Sequence, residues 1–240
     1  MSAVKKILQV RFPEEEDKNM GTGLKKNLLA AGAAMVGFAC VKGVANGEIS
    51  HLEAAISIGV VKNLNEETVK LLMALQKRAA VLLKQEGFRY FCIPPDSDRV
   101  VDKKTKTFAS RLYPLFTHKM AATLAGMGWI GRNGLLINPE YGPRLTLATV
   151  LTDAPLEPGT PVKRSQCGEC TLCIDFCPSR AIAGNDWSQN KPYVELVRTK
   201  ICAAHKGRAR ATKGKPNCGL CINICPYGRK NTDKTKQQIH

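Results

Sequence analysis

Residues 167–178 read CGECTLCIDFCP. The spacing is C-x2-C-x2-C-x3-C-P, in which three cysteines three residues apart wrap three corners of one [4Fe–4S] cubane while the fourth, followed by proline, serves a second cluster. A second ligand set is therefore expected from the first. It follows at residues 218–226, CGLCINICP, where Cys218, Cys221 and Cys225 repeat the second half of the run and Pro226 takes the matching place. The position of the missing first cysteine is Lys215. Cys202, 13 residues before it in KICAAHKG, is the cysteine available to replace it, which makes that connection a loop folded back onto a cluster.

The crossing rule of bacterial two-cluster ferredoxins assigns Cys167, Cys170, Cys173 and Cys225 to one cubane. It assigns Cys202, Cys218, Cys221 and Cys177 to the other. The alternative is zinc held by the two Cys-x2-Cys pairs; it would leave the cysteines before Pro178 and Pro226 without work. The remaining two of the ten cysteines, Cys40 and Cys92, stand alone in apolar surroundings and read as small buried hydrophobes.

Upstream of the cysteines, DAPLEPGTPVKRSQ at 153–166 carries three prolines and a glycine, a composition that suits a linker. It divides the 240 residues into two expected domains, 1–160 and 161–240. In the first, GLKKNLLAAGAAMVGFACV reads as a helix giving way to a strand, and EAAISIGVV as a buried strand. NEETVKLLMALQKRAAVLLKQEGF is the clearest amphipathic helix, closed by Gly87, and RYFCIPP a strand ended by prolines. THKMAATLAG reads as a helix capped by Thr117, and GLLINP and RLTLATVLTD as strands. This alternation implies layers of helix and sheet.

GMGWIG at 126–131 fits the dinucleotide pattern G-x-G-x-x-G, which requires a strand before the glycines and a helix after them. Here a helix precedes and a strand follows. The order argues against NAD or FAD and for a glycine-rich turn from helix to strand.

A segment reading AATLAGMGWIGRNGLLINPEYGPRLTLATVLTDAPLEP, followed closely by CGECTLCIDFCP, resembles the epoxyqueuosine reductases and, more distantly, the reductive dehalogenases. The resemblance implies an α+β chain, with a nitroreductase-like α/β corrinoid domain followed by a two-cluster ferredoxin-like domain. It also implies clusters that pass electrons one at a time to cobalamin. Gly126, Gly128, Trp129, Gly131, Arg132 and Asn133 are then the expected corrinoid contacts. The family's catalytic aspartate has no counterpart here: the matching position in SRLYPLFTHK is Leu112. Nor does the sequence show the C-terminal helical-repeat extension of many relatives. His118, at a helix start beside the glycine turn, is the proton donor expected in its place, because imidazole can donate near neutral pH.

Formal net charge is +16. Each oxidised cubane with four thiolates brings about two negative charges, so the loaded chain stays near roughly +12. Much of the excess lies in TKICAAHKGRARATKGKPN, where Lys200, Lys206, Arg208, Arg210, Lys213 and Lys215 stand without an acid. Such a patch attracts RNA phosphates or an acidic electron donor such as flavodoxin or ferredoxin, or it offsets the clusters' own negative charge and raises their potential. No aromatic residue interrupts it for base stacking, which favours the donor over tRNA. The longest apolar run, Leu28 to Val41, has 14 residues, short of a membrane span. The N-terminal residues lack a signal-peptide h-region, so a cytoplasmic location is expected. The functional expectation is a cobalamin-dependent iron–sulfur reductase; the alternative is a two-cluster electron carrier without catalysis of its own.

Overall fold

The computed structural model describes residues 20–44, 49–62, 65–95, 117–191, 195–213 and 218–228. It divides into two units. The first comprises residues up to Met127 together with Leu145–Val162, the second Gly128–Arg144 together with the residues from Lys163 onward. A single cut near residue 160 therefore misses the stretch 128–144, which leaves the first unit and returns to it.

In the first unit α1 (Met20–Ala30) leads to β1 (Met35–Cys40) and β2 (Ala54–Val60), then α2 (Glu66–Gln85), β3 (Tyr90–Ile93), α3 (His118–Leu124) and β6 (Thr146–Thr152). The strands form one sheet in the order β1-β2-β6-β3. Every pairing is antiparallel, with Ile56 opposite Phe38 on one side and Val150 on the other. All seven residues of β2 are buried, because the central strand is covered on both faces. One face presents Val36, Ile56, Ile58, Val60 and Val150 to Leu24 and Leu28 of α1 and to Leu72, Leu75, Ala79, Leu82 and Leu83 of α2. The other is lined by small residues. A methyl group added at Gly37 would lie 3.0 Å from the Ala125 side chain, and one at Gly59 3.5 Å from that of Met127. Close seating of α3 and the turn after it depends on that absence of bulk.

The helix boundaries follow from their caps. Asn65 accepts a 2.8 Å hydrogen bond from the Thr68 amide at the start of α2, and Gly87 closes it at φ +82°. Thr117 accepts from the Met120 amide at 3.2 Å to start α3. Two expectations fail. The segment 153–166 is no free linker through its first ten residues: Ala154 and Leu156 enter the core, and the Gly159 and Val162 amides donate to Phe38 and Thr123 carbonyls, each at 2.9 Å. Proline spacing marks an irregular backbone there but not its packing. Cys40 is exposed, since it ends an edge strand whose alternation turns it outward; Cys92 is half-buried against the core, and burial pushes its thiol up to about 11.

The second unit holds a short hairpin, β4 (Trp129–Ile130) and β5 (Leu136–Ile137), and three helices: α4 (Leu172–Asp175), α5 (Thr199–Lys213) and α6 (Leu220–Asn223). The connection bearing Cys202 is thus helical. Alanine, lysine and arginine over residues 203–213, with no proline, favour that outcome. Among the described residues no helix is long and apolar enough to cross a membrane.

Candidate iron–sulfur centre

Each C-x2-C run turns on a glycine directly after its first cysteine: Gly168 at φ +56° and Gly219 at φ +63°. A one-turn helix follows in each case, α4 after Thr171 and α6 after Gly219. This geometry brings the cysteines of a run back toward one point.

Cys167, Cys170, Cys173 and Cys225 line a single cavity, shared with Arg132 and Tyr227. Cys225 is the buried member. Burial pushes Cys173 up to about 11, with the nearby thiolates of Cys167, Cys221, Cys170 and Cys225 adding to the effect. Cys225 is raised for the same first reason, opposed by the Tyr227 amide and Arg144 and reinforced by Cys167 and Cys170. The thiols around Cys221 are different. Burial raises Cys221, and the neighbours that raise it further are Cys202, Cys218 and Cys177, against the positive charge of Lys206. Cys221 thus has Cys202, Cys218 and Cys177 as its thiolate neighbours, and Cys173 feels Cys221 as well as the three thiols that share its cavity. Cys177 departs from the others: burial works to raise its pKa, but hydrogen bonding from Ser179 and the Ala181 amide outweighs it and lowers the thiol. The Ala181 N–H lies 3.3 Å from its sulfur.

The residues around the first quartet brace it. Arg132 donates from Nε and Nη2 to the two carboxylate oxygens of Asp186, at 2.9 and 3.1 Å, and from Nη1 to the Cys170 carbonyl at 2.8 Å. The Asp186 hydrogen bond is the main reason its pKa rises, with Cys167 and Cys173 contributing. Asn133 donates to the Cys221 carbonyl at 3.2 Å and accepts from the Leu135 amide at 3.1 Å. Arg144 donates to the Tyr227 and Ile222 carbonyls at 2.8 and 3.3 Å. Tyr227 meets Trp129 edge-on, ring centres 4.9 Å apart.

The glycine turn is closely packed by the chain itself. Trp129 is 2% exposed. A methyl group at Gly126 would lie 2.6 Å from the Thr160 carbonyl oxygen, one at Gly128 would strike the Ile137 carbonyl oxygen, and one at Gly131 would lie 2.7 Å from the Ile137 side chain. The glycines admit protein atoms. Arg132 and Asn133 are committed to the cysteine loops, a partnership that no local sequence signal announces because their partners lie 38 to 88 residues away. His118 is 2% exposed. Its Nδ1 lies 2.9 Å from the Thr149 hydroxyl and its Nε2 3.0 Å from the Pro94 carbonyl. Both ring nitrogens thus meet partners that tie α3 to β6 and the end of β3. Leu112 and Lys215 lie outside the described residues, as do the side chains of Arg210 and Lys213.

Comparison with known proteins agrees with this centre. Residues 166–228 match the 4Fe-4S double cluster binding domain. The double-cluster domain covers both cysteine runs and Cys202, and two [4Fe–4S] clusters are its cofactors. The chain is similar to the epoxyqueuosine reductase of Staphylococcus aureus, 34% identical over 116 residues, which are 48% of this chain and 30% of that one. It is 37% identical to the Listeria monocytogenes epoxyqueuosine reductase over 109 residues, 45% of this chain and 28% of that one. The matched region thus spans about a third of these relatives. An epoxyqueuosine reductase solved with an epoxyqueuosine-modified tRNA-Tyr stem loop superposes with a TM-score of 0.60 at 16% identity, covering 87% of this chain and 65% of that one. A reductive dehalogenase, whose structure is described as suggesting a mechanism for B12-dependent dehalogenation, gives 0.62 at 16% identity, covering 98% and 37%. The mixed helix-and-sheet fold of this chain is shared with both.

Proposed function

We propose that this chain is an iron–sulfur oxidoreductase whose second unit carries electrons through two [4Fe–4S] clusters, one held by Cys167, Cys170, Cys173 and Cys225, the other by Cys177, Cys202, Cys218 and Cys221. The observation that carries the reading is the cavity lined by Cys167, Cys170, Cys173 and Cys225, supported by the closeness of Cys202, Cys218 and Cys177 to Cys221. Bound clusters supply one-electron transfer at low potential. The chain's own part is to hold the thiolates, to neutralise them with Arg132, Arg144 and Lys206, and to hold the first set behind Tyr227. Because burial raises Cys173, Cys221 and Cys225, loading must release their protons, so assembly is favoured as pH rises.

The electrons come from a low-potential donor of the flavodoxin or ferredoxin kind. Likeness to epoxyqueuosine reductases and a B12-dependent dehalogenase supports cobalamin as the acceptor, on a nitroreductase-like first unit, with a small or RNA-borne substrate. Of the glycine-turn residues expected to meet it, Gly126 is exposed and Arg132 partly so, whereas Gly128, Trp129, Gly131 and Asn133 are buried. The engagement of His118 and the lack of an acid at Leu112 favour a second reading: an electron carrier whose first unit docks its redox partner. One experiment separates them. Anaerobically reconstituted protein should hold about eight irons; two zincs and no iron would sink the centre. The same protein mixed with cobalamin should retain it through gel filtration with a shifted corrinoid spectrum. Full iron without retention selects the carrier.

A further inference from the structure

Six large hydrophobic side chains are exposed among the described residues, and three of them, Phe176 at 57%, Ile201 at 43% and Leu220 at 44%, lie in the second unit. Each of the three directly precedes a cysteine of one quartet: Cys177, Cys202 and Cys221. The residues before the first quartet's cysteines are Gln166, Glu169, Leu172 and Ile224, and none is an exposed large hydrophobic. Neighbouring Cα atoms stand about 3.8 Å apart, so each of the three lies beside a cysteine assigned to the second cluster. That cluster's remaining ligand, Cys218, follows Asn217, which is outside the described residues, and the first cluster has no counterpart among the described residues. Solvation of such a patch is unfavourable, and a scatter of single exposed residues gives no reason for all three to fall beside one quartet.

The rim is also basic. On α5, Lys200, Lys206 and Arg208 are exposed, and no acidic residue occurs between Thr199 and Asn217. Ile201 and Arg208 are seven residues apart, two turns at 3.6 residues per turn, and so share a helix face. An apolar centre with positive charges at its edge fits a partner whose own cofactor rim is apolar and ringed by carboxylates. Such an interface steers encounter by charge and excludes water at the point of closest approach.

We propose that Phe176, Ile201 and Leu220, edged by Lys200 and Arg208, form the docking face for an acidic one-electron carrier protein, which makes the second cluster the port of electron entry. The proposal rests on the two-cluster reading above. In the transfer the carrier's cofactor loses one electron and the second cluster gains it, from its 2+ to its 1+ core; no bond forms or breaks and no proton moves. Small apolar interfaces of this type suit weak, transient redox encounters.

The test uses the full chain, reconstituted anaerobically and checked for iron, with reduced flavodoxin as the acidic probe and dithionite as a small reductant that needs no docking. Wild-type reduction by flavodoxin should slow steeply as salt is raised from about 50 to 500 mM, because surface charges are screened within a few ångströms at the higher value. The Lys200→Glu, Arg208→Glu pair should reduce about tenfold more slowly at low salt and lose the salt dependence. Ile201→Ser should slow reduction about tenfold at every salt concentration. Dithionite reduction and iron content should match wild type in both. Fully loaded variants that accept electrons from flavodoxin at the wild-type rate would overturn the docking face alone. A chain that takes up no cluster would overturn this proposal together with the reading beneath it. A tRNA transcript whose binding is lost in the charge pair, and untouched in Ile201→Ser with flavodoxin reduction unchanged, would make the face an RNA site and overturn the proposal.

Discussion

The two cysteine quartets grow from nearly the same nine-residue pattern, CTLCIDFCP and CGLCINICP, and are set in opposite surroundings. Around Cys167, Cys170, Cys173 and Cys225 the chain places two arginines, a tyrosine and a hairpin, so that carbonyls of the cysteine loops are held from a distant part of the sequence. Around Cys177, Cys202, Cys218 and Cys221 it places a helix with lysines and exposed apolar side chains. Potential depends on charge, hydrogen bonds to sulfur and solvent exposure. Two cubanes with equal ligands can therefore differ in potential through their neighbours alone. The difference teaches that like ligand patterns need not give like sites, since what the second unit packs around each quartet differs.

The comparison breaks first if the quartets are wrongly drawn. Cys225→Ser should cost about four irons, and adding Cys173→Ser should cost no more, whereas Cys225→Ser with Cys221→Ser should leave none. Uncrossed ligation would reverse the two double variants, and iron analysis with electron paramagnetic resonance reads the result. Next in size is the bracing of the first quartet. Arg132→Gln removes the fork to Asp186 and the bond to the Cys170 carbonyl, and iron loss from that cluster to a chelator should quicken roughly tenfold. Arg132→Lys should not restore it, since an ammonium cannot span both carboxylate oxygens and a carbonyl.

A smaller effect distinguishes the quartets without metal. Cys173 is held up to about 11, so the folded apo-protein binds its proton more tightly than the unfolded chain does. That contribution is fully present below the ordinary thiol pKa and is lost as pH rises through about 11. Melting of the apo-protein should fall over that interval and that of the loaded protein should not. Cys177, lowered by Ser179 and Ala181 once burial is outweighed, should alkylate faster than Cys173 near pH 8, and Ser179→Ala should slow it. The smallest effect on the clusters is expected from His118→Ala. It should lower the stability of the first unit by about 2 kcal/mol, through two lost hydrogen bonds, one buried and one partly buried, and leave iron content unchanged.

Much of this is legible in the sequence. Cysteine spacing announces the double-cluster domain that residues 166–228 match, and helix α2 announces itself through its cap, its periodicity and its closing glycine. The sheet's strands are legible for the same local reason. What escapes is pairing across distance. Arg132 and Asn133 bond to loops 38 to 88 residues along the chain and Trp129 meets Tyr227, contacts that no local pattern announces. Cys202 reads as part of a loop because charge dominates its neighbours, while their helix propensity decides the backbone. Residues 153–162 read as a linker because proline and glycine report an irregular path whether or not it is packed.

The discontinuity of the second unit sets an order on biosynthesis. The hairpin 128–144 emerges from the ribosome before β6, the strand that joins β2 to β3, so the sheet cannot close until residues belonging to the other unit are already made. The hairpin then waits for Asn133 and Arg144 to meet segments around Cys221 and Tyr227. In the proposed quartets the fourth thiol of the first set is Cys225 and the second set needs Cys221. Neither iron site is complete until residues about seventy positions after β6 have been translated, which lets the sheet close before a cluster is inserted.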